Sequence, residues 1–203
     1  MLNARRCAAS GVTLIELMVT ISVLALVLLA IVPSVGAWMA NTQIRNVASA
    51  IQSGLQLARS EAVRRNEPVR FSLVSLADSA VMDDSCALSS EGVSWVVSLD
   101  DPEGECAAAP SPTVAPRIVD RRAGGVGGKS VKVKATTVDG DDASTVVFNG
   151  FGRVVGAGAI GVIDVDHVDP GSDYRALRII VGVGGTVRMC DPKVTDSGDP
   201  RRC

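Results

Sequence analysis

Few residues in this chain could do chemistry, and their spacing narrows what that chemistry is. The 203 residues include five cysteines and one histidine, His167. Cys7 precedes a long apolar run, while Cys86, Cys106, Cys190 and Cys203 come after it as two sequence-local pairs. No C-x-x-C occurs, and one histidine cannot complete a zinc site, so two disulfides formed in an oxidising compartment are expected. Four cysteines allow three pairings; proximity favours 86–106 and 190–203. "AGGVGGKS" (123–130) satisfies a loose phosphate-loop pattern. That chemistry needs a helix after the loop to cradle phosphate. The next residues are instead "VKVKATTV", an alternating β-branched strand, so a flexible loop is expected. Asp164, Asp166 and Asp169 surround His167 but miss the calcium-loop spacing. A solvated turn with a solvated histidine is the expectation there. Glu16 is the one acid in an apolar run, with no second group beside it to share acid–base work. With no nucleophile–base pair, metal cluster or cofactor loop, the sequence is read as a non-enzyme that needs no cofactor and no metal.

Composition bounds the remaining classes. The net charge is -2 and the sequence pI about 5.4, which excludes a globally basic nucleic-acid binder. Charge is nonetheless uneven. Residues 117–134 hold Arg117, Arg121, Arg122, Lys129, Lys132 and Lys134 against Asp120. Residues 175–203 hold Arg175, Arg178, Arg188, Lys193, Arg201 and Arg202 against Asp191, Asp196 and Asp199. Aromatics make up 3% of the chain, so an extended core of β-branched residues fits better than an aromatic pocket.

These residues must be held by a few elements. From Val12 to Ala40 the only charged residue is Glu16. Some twenty apolar residues at 1.5 Å rise span a bilayer core of roughly 30 Å. Arg5 and Arg6 before the run should stay cytoplasmic, which places the rest of the chain outside. A cleaved secretory signal should be shorter and lack an acid, although Val35-Gly36-Ala37 resembles its cleavage site. A lipoprotein signal needs its cysteine after the run. A plain anchor explains everything except Glu16, because a carboxylate in a bilayer segment is expensive without a partner. Past the run, Ile44, Val47, Ala48, Ile51, Leu55, Ala58 and Ala62 keep helical spacing, with Arg45, Gln52, Gln56, Arg59 and Arg64 off the stripe. One helix from 12 to about 65, roughly 80 Å long, is predicted. Pro33 should kink it and Glu67-Pro68 should end it.

Strand patterns fill the remainder. Val69, Phe71 and Leu73 alternate, as do Val93, Trp95, Val97 and Leu99 and then Val131 to Lys134. "STVVFN" (144–149), "AIGVIDV" (159–165), "ALRIIVGV" (176–183) and "TVRM" (186–189) complete the set. Gly- and Asp-rich stretches punctuate them, and 76–92 and 100–116 read as irregular loops.

"SGVTLIELM" (Ser10 to Met18) resembles the processing site of type IV prepilins and pseudopilins. The resemblance implies removal of a basic leader, residues 1–11, by a prepilin peptidase that cuts between Gly11 and Val12, followed by N-methylation of Val12. Glu16 then lies fifth from the new N-terminus and Pro33 twenty-second, where the class has its glutamate and often a proline. Val12 departs from the usual phenylalanine. Glu16 would be an assembly residue, pairing with the free amino group of a neighbouring subunit and so fixing register. "FNGFGR" (148–153) and "VGVGGTVRMC" (181–190) further resemble the turn and terminal hairpin of the GspH/FimT family of minor pilins and pseudopilins. Residues 76–130 are not anchored by the resemblance.

The family implies an α+β, pilin-like fold: a membrane and assembly half of the helix (12–40), an amphipathic half (41–66), and a periplasmic β-rich domain (67–203). It implies an inner-membrane, single-pass protein that later enters a pilus or secretion pseudopilus. The implied partners are the prepilin peptidase, other pilin or pseudopilin subunits, and inner-membrane lipid. Its implied work is structural, priming or capping a type IV pilus or a type II secretion pseudopilus. Some FimT-type proteins also bind double-stranded DNA during transformation through a C-terminal G-R-x-R turn. Here the matching residues are Gly185-Thr186-Val187-Arg188, so half of the basic motif is missing. Arg188, with Lys193, Arg201 and Arg202 nearby in sequence, is the candidate contact.

Overall fold

The computed structural model describes residues 11–169, 171 and 173–203; the side chains of 29–34, 126 and 127 also lie outside that description. Arg5, Arg6, Cys7 and Ser10 therefore fall outside the described residues. The chain forms two compact units, Met1–Trp38 and Met39–Cys203. A single helix, α1, is assigned from Leu14 to Arg65 without interruption at position 33. The kink expected at Pro33 falls on a side chain outside the description.

In the first unit, the described helical residues from Leu14 to Leu28 are all exposed, although nearly all are apolar. In the second unit the helix is amphipathic. Ile44, Val47, Ala48, Ile51, Leu55, Ala58 and Ala62 are all buried, while Arg45, Gln56, Arg59 and Arg64 are exposed or only partly covered. Among the described residues no helical stretch is both long and apolar enough to cross a membrane.

The helix ends where its sequence dictates. Glu61 accepts from Arg64 Nη2 at 2.6 Å and from Arg65 Nε at 2.7 Å. Arginines in the last turn also complement the helix dipole. Asn66 then turns left-handed at φ 53°, a conformation that asparagine tolerates and helix ends favour. Pro68 comes two residues later.

The second unit holds two antiparallel sheets. The first sheet contains β1 (Val69–Ser75), β2 (Ala87–Leu88), β3 (Ser94–Ser98), β4 (Ile118–Arg122), β6 (Thr145–Phe148) and β7 (Val154–Val155). Its order is β4-β3-β1-β6-β7, and β2 pairs with the end of β1. The second sheet contains β5 (Val131–Thr136), β8 (Val162–His167), β9 (Leu177–Val181) and β10 (Val187–Cys190), in the order β10-β9-β8-β5. The helical stripe and both sheets share one core, which includes Phe71, Trp95, Phe148, Val133, Ile163 and Ile179.

Strand alternation places Phe71 opposite Val97 and Leu73 opposite Trp95, on the face toward the helix. The other face of β1 and β3 is not solvated. Val74 and Val96 join Cys86, Cys106 and Ile118 in a second apolar cluster, flanked by Leu76, Met82 and Leu88. The loops 76–92 and 100–116 are thus a second covering layer, tied by the Cys86–Cys106 disulfide. Two serines trapped beneath it are matched: Ser94 Oγ accepts from Gly124 N–H, and Ser98 Oγ donates to the Asp100 carbonyl. β2, β4 and β7 add to the strands read from sequence. Around the glycine-rich stretch, Val126–Ser130 forms a 3-10 turn and leads directly into β5, with no α-helix after it.

Gly54 sets the closeness of helix to sheet. A Cβ there would meet Phe71 Cε2 at 2.8 Å and Trp95 Cδ2 at 3.0 Å. Both rings are buried and lie 5.8 Å apart, centroid to centroid. In an open helix Gly→Ala stabilises by about 1 kcal/mol. Overpacking a fixed ring costs about 1–3 kcal/mol. Gly54→Ala should therefore lower the urea unfolding midpoint, and Gly54→Val should lower it further; a raised midpoint for the alanine variant refutes this packing account.

The Glu61 cluster gives a pH dependence. The hydrogen bond from Arg64, and then that from Arg65, hold the Glu61 carboxyl at about 2 instead of its ordinary 4.5. The folded value lies below the unfolded one, so ionised Glu61 stabilises the fold above pH 4.5 and the contribution is lost as pH falls toward 2. Unfolding measured from pH 2 to 5 should show a shallower rise in stability for Glu61→Gln than for the parent chain. Identical slopes would remove Glu61 from the account.

Candidate assembly segment and C-terminal basic surface

The N-terminal segment is built from its cap outward. Thr13 precedes the first helical residue, and its Oγ1 accepts from Glu16 N–H at 3.3 Å; its carbonyl accepts from Leu17 N–H at 3.1 Å. Thr13 is therefore the N-cap and Glu16 the third helical residue, where a negative charge also suits the helix dipole. The T-x-x-E spacing of Thr13 and Glu16 is a sequence signal for this cap, one that the apolar run around it obscures. Gly11, Val12 and Glu16 are all exposed. No group in this segment is arranged for catalysis, and among the described residues no cluster of acids, histidines and cysteines could hold a metal.

The two glycine-bearing turns that carry the family resemblance meet each other. In the first, Asn149 Oδ1 accepts from the N–H groups of Phe151 and Arg153, and Gly152 N–H closes onto the Asn149 carbonyl at 2.8 Å. In the second, Gly185 N–H closes onto the Gly182 carbonyl at 2.7 Å. Gly185 sits at φ 80°, and a Cβ on it would fall on the Gly152 carbonyl oxygen. Arg59 of α1 donates from Nε to that same oxygen at 3.2 Å. Val154 N–H donates to the Val183 carbonyl at 3.1 Å, which links the two sheets at this corner. Phe151 at the first tip is 84% exposed and Val183 at the second 74%.

The C-terminal basic residues are brought together but largely engaged. The tail beyond β10 folds back through the Cys190–Cys203 disulfide and a parallel bridge between Asp191 and Arg202. Arg188 donates to the Arg202 carbonyl at 3.0 Å and to Cys203 O at 3.2 Å. Lys193 Nζ donates to the Tyr174 carbonyl at 2.8 Å. Arg201 forms an ion pair with Asp199 at 2.6 Å, and this contact holds the Asp199 carboxyl at about 2. Arg202 is exposed and makes no side-chain hydrogen bond or ion pair among the described residues. Between this tail and α1 lies a groove of about 430 Å³, lined in part by Arg45, Arg175, Leu177, Met189 and Arg201. Asn41 pins its far side, accepting from Arg175 N–H at 2.7 Å and donating to the Asp173 carbonyl at 3.0 Å. In the sequence Arg45 is only an off-stripe helix residue, because its place beside the tail depends on tertiary folding.

The other charged candidates have structural partners. Asp164 faces Arg178 across the β8–β9 ladder and receives two of its N–H groups, at 2.7 and 2.9 Å. His167 is not simply solvated: its ring stacks on Tyr174 with centroids 4.0 Å apart. In the upstream basic stretch, Arg117 grips Asp100 bidentately, Arg121 donates to the Cys106 and Ala108 carbonyls, and Lys134 pairs with Asp142 at 2.6 Å.

Comparison with known proteins gives the chain a family. Residues 47–195 match the family described as type II transport protein GspH, and residues 6–32 match the prokaryotic N-terminal methylation motif. Two crystal structures of the type IV minor pilin FimU of Pseudomonas aeruginosa are similar at 15% identity. One covers 73% of this chain and 97% of its own at a TM-score of 0.43. The other covers 75% and 94% at 0.45. No curated protein sequence matches the chain. A family match across residues 47–195, preceded by the methylation motif, shows that the chain belongs to the GspH family: it is a minor pilin or pseudopilin of the type IV pilus and type II secretion class, a structural subunit and not an enzyme.

Proposed function

We propose that this subunit primes or caps a type IV pilus or a type II secretion pseudopilus from a single-pass inner-membrane position. The observation that supports this most is the exposure of the first unit. Leu14, Ile15, Leu24 and Leu26 are between 57% and 79% exposed on a helical segment that is apolar apart from Glu16, Thr20 and Ser22. Such a helix is stable only inside lipid or among other helices. In this reading residues 1–11 are removed after Gly11, Val12 is methylated, and residues 12–40 alternate between the membrane and a bundle of neighbouring subunits. Residues 41–66 cover the sheets, and residues 67–203 face the periplasm. Glu16 pairs with a neighbour's free amino terminus. The pairing favours one axial register, because in any other the carboxylate would lie unpaired in hydrocarbon.

Two substitutions separate processing from assembly. Gly11→Val should leave the chain unprocessed, heavier by the leader when measured by intact mass. Glu16→Ala should be processed and folded but lost from sheared or purified filaments. A Gly11→Val chain of mature mass, or a Glu16→Ala chain incorporated at the parent level, would overturn the corresponding step.

A second reading, contact with double-stranded DNA, is favoured by the fold-back that gathers Arg188, Arg201 and Arg202 beside the Arg45–Arg175 groove. The engagement of Arg188, Lys193 and Arg201 leaves few charges to neutralise phosphate. With about two phosphates contacted, affinity should fall roughly tenfold between 50 and 200 mM salt. Arg202→Ala should weaken binding further without disturbing the tail. Anisotropy titration of a fluorescent duplex measures both, and no binding at low salt eliminates this reading.

A further inference from the structure

One ridge of α1 and the C-terminal tail build a basic groove near the start of the second unit. Asn41, Arg45, Ser49 and Gln52 are spaced four, four and three residues apart, so they share one face of the helix. That face lines one wall of the groove of about 430 Å³. Asn41 holds the segment before β9 against this wall through Arg175 N–H and the Asp173 carbonyl, and so places Arg175 beside Arg45. The other wall is the tail closed by the Cys190–Cys203 disulfide, which contributes Arg201. Leu177 of β9 and Met189 of β10, both packed on the core, give the groove an apolar floor.

Charge and place together point to a ligand. Three arginines line the groove against one aspartate, Asp191. Arg201 is neutralised by Asp199, whereas Arg45 and Arg175 are exposed and enter no ion pair among the described residues. Like charges gathered at one spot create a field that concentrates anions. Their place is set by the chain. Arg45 is the first base after the apolar run and lies five residues beyond Ala40, about 7.5 Å along the helix. The polar layer on each side of a bilayer's hydrocarbon is about 5–7 Å deep. Helical side chains lean toward the helix N-terminus, here toward the apolar run, and an arginine stem is long enough to carry its charge to a membrane interface.

We propose that this groove binds the headgroup of an anionic phospholipid and so moors the second unit to the membrane surface. The inference rests on the inner-membrane reading above and adds a contact beyond the lipid around the apolar helix. The phosphodiester lies between Arg45 and Arg175, with Ser49 and Gln52 toward the glycerol hydroxyls and Leu177 and Met189 toward the first methylenes. Basic pockets beside a membrane segment bind such headgroups. A DNA duplex is the poorer match. It presents a row of phosphates at about one charge per 1.7 Å. The groove offers two open guanidiniums over an apolar floor, and Arg188 is capped by the tail.

Two measurements on the full-length chain test this contact. Flotation with phosphatidylcholine vesicles asks whether the chain enters a bilayer at all. Native mass spectrometry from neutral detergent then counts bound lipid as short-chain phosphatidylglycerol or phosphatidylcholine is added at fixed ionic strength. Inorganic phosphate and a DNA duplex compete in separate arms. The expected result is saturable binding of phosphatidylglycerol, about tenfold tighter than phosphatidylcholine. Arg45→Gln and Arg175→Gln should each weaken it about fivefold. Lys132→Gln, on the far edge of the second sheet, should leave it unchanged. Circular dichroism checks that the variants stay folded. Equal binding of the two lipids, or phosphatidylglycerol binding unmoved by both substitutions, overturns the proposal. Displacement by phosphate at the lipid's own concentration assigns the groove to a free anion, and displacement by less duplex than lipid assigns it to DNA; either result overturns it too. A chain that floats without preferring phosphatidylglycerol loses only the headgroup contact, whereas one that does not float loses the inner-membrane reading as well.

Discussion

Burial of one helical stripe is the constraint on which the second unit depends. Seven residues from Ile44 to Ala62 provide the surface against which both sheets close. Neither sheet is large enough to form a core alone, since each is antiparallel with short strands, two to seven residues in the first sheet and four to six in the second. The helix must therefore sit close, and its small residues permit that. Ala48, Ala58 and Ala62 are fully buried, and at Gly54 the helix backbone comes against the rings of Phe71 and Trp95. Close packing there fixes rotation and translation of the helix together, because either movement would drive a side chain into a ring.

The same helix reaches the far corner through Arg59. There two turns from different sheets meet with backbone against backbone, and only glycine at 185 leaves room for the Gly152 carbonyl. The two motifs that carry the family resemblance are therefore one tertiary feature read in two places. Their shared contact explains why glycine and asparagine, rather than larger residues, occupy the turns.

Much of this was legible in the sequence. The stripe, the strands at 69–75, 94–98 and 131–136, and the end of the helix near Pro68 all arise from periodicity and backbone chemistry. What escaped has physical causes. β4, "IVDRR", has too few apolar residues to show alternation, and β2 and β7 are two residues each. The second apolar cluster was hidden because Val74 and Val96 lie on the face that alternation marks as outward; they are buried only when a disulfide-tied loop covers them. The candidate basic residues could be named from sequence, but their engagement by carbonyls and by Asp199 depends on a tail that folds back.

The two disulfides stand in different relations to solvent. Cys86 and Cys106 are both buried beneath their own apolar layer, while Cys203 of the other bridge is exposed. Thiol–disulfide exchange requires a thiolate to reach a sulfur, so access sets the order of attack. The outer bridge is open to a reductant in the folded chain. The inner one becomes available only when its covering layer lifts, which makes its cleavage rate a gauge of how often that layer breathes.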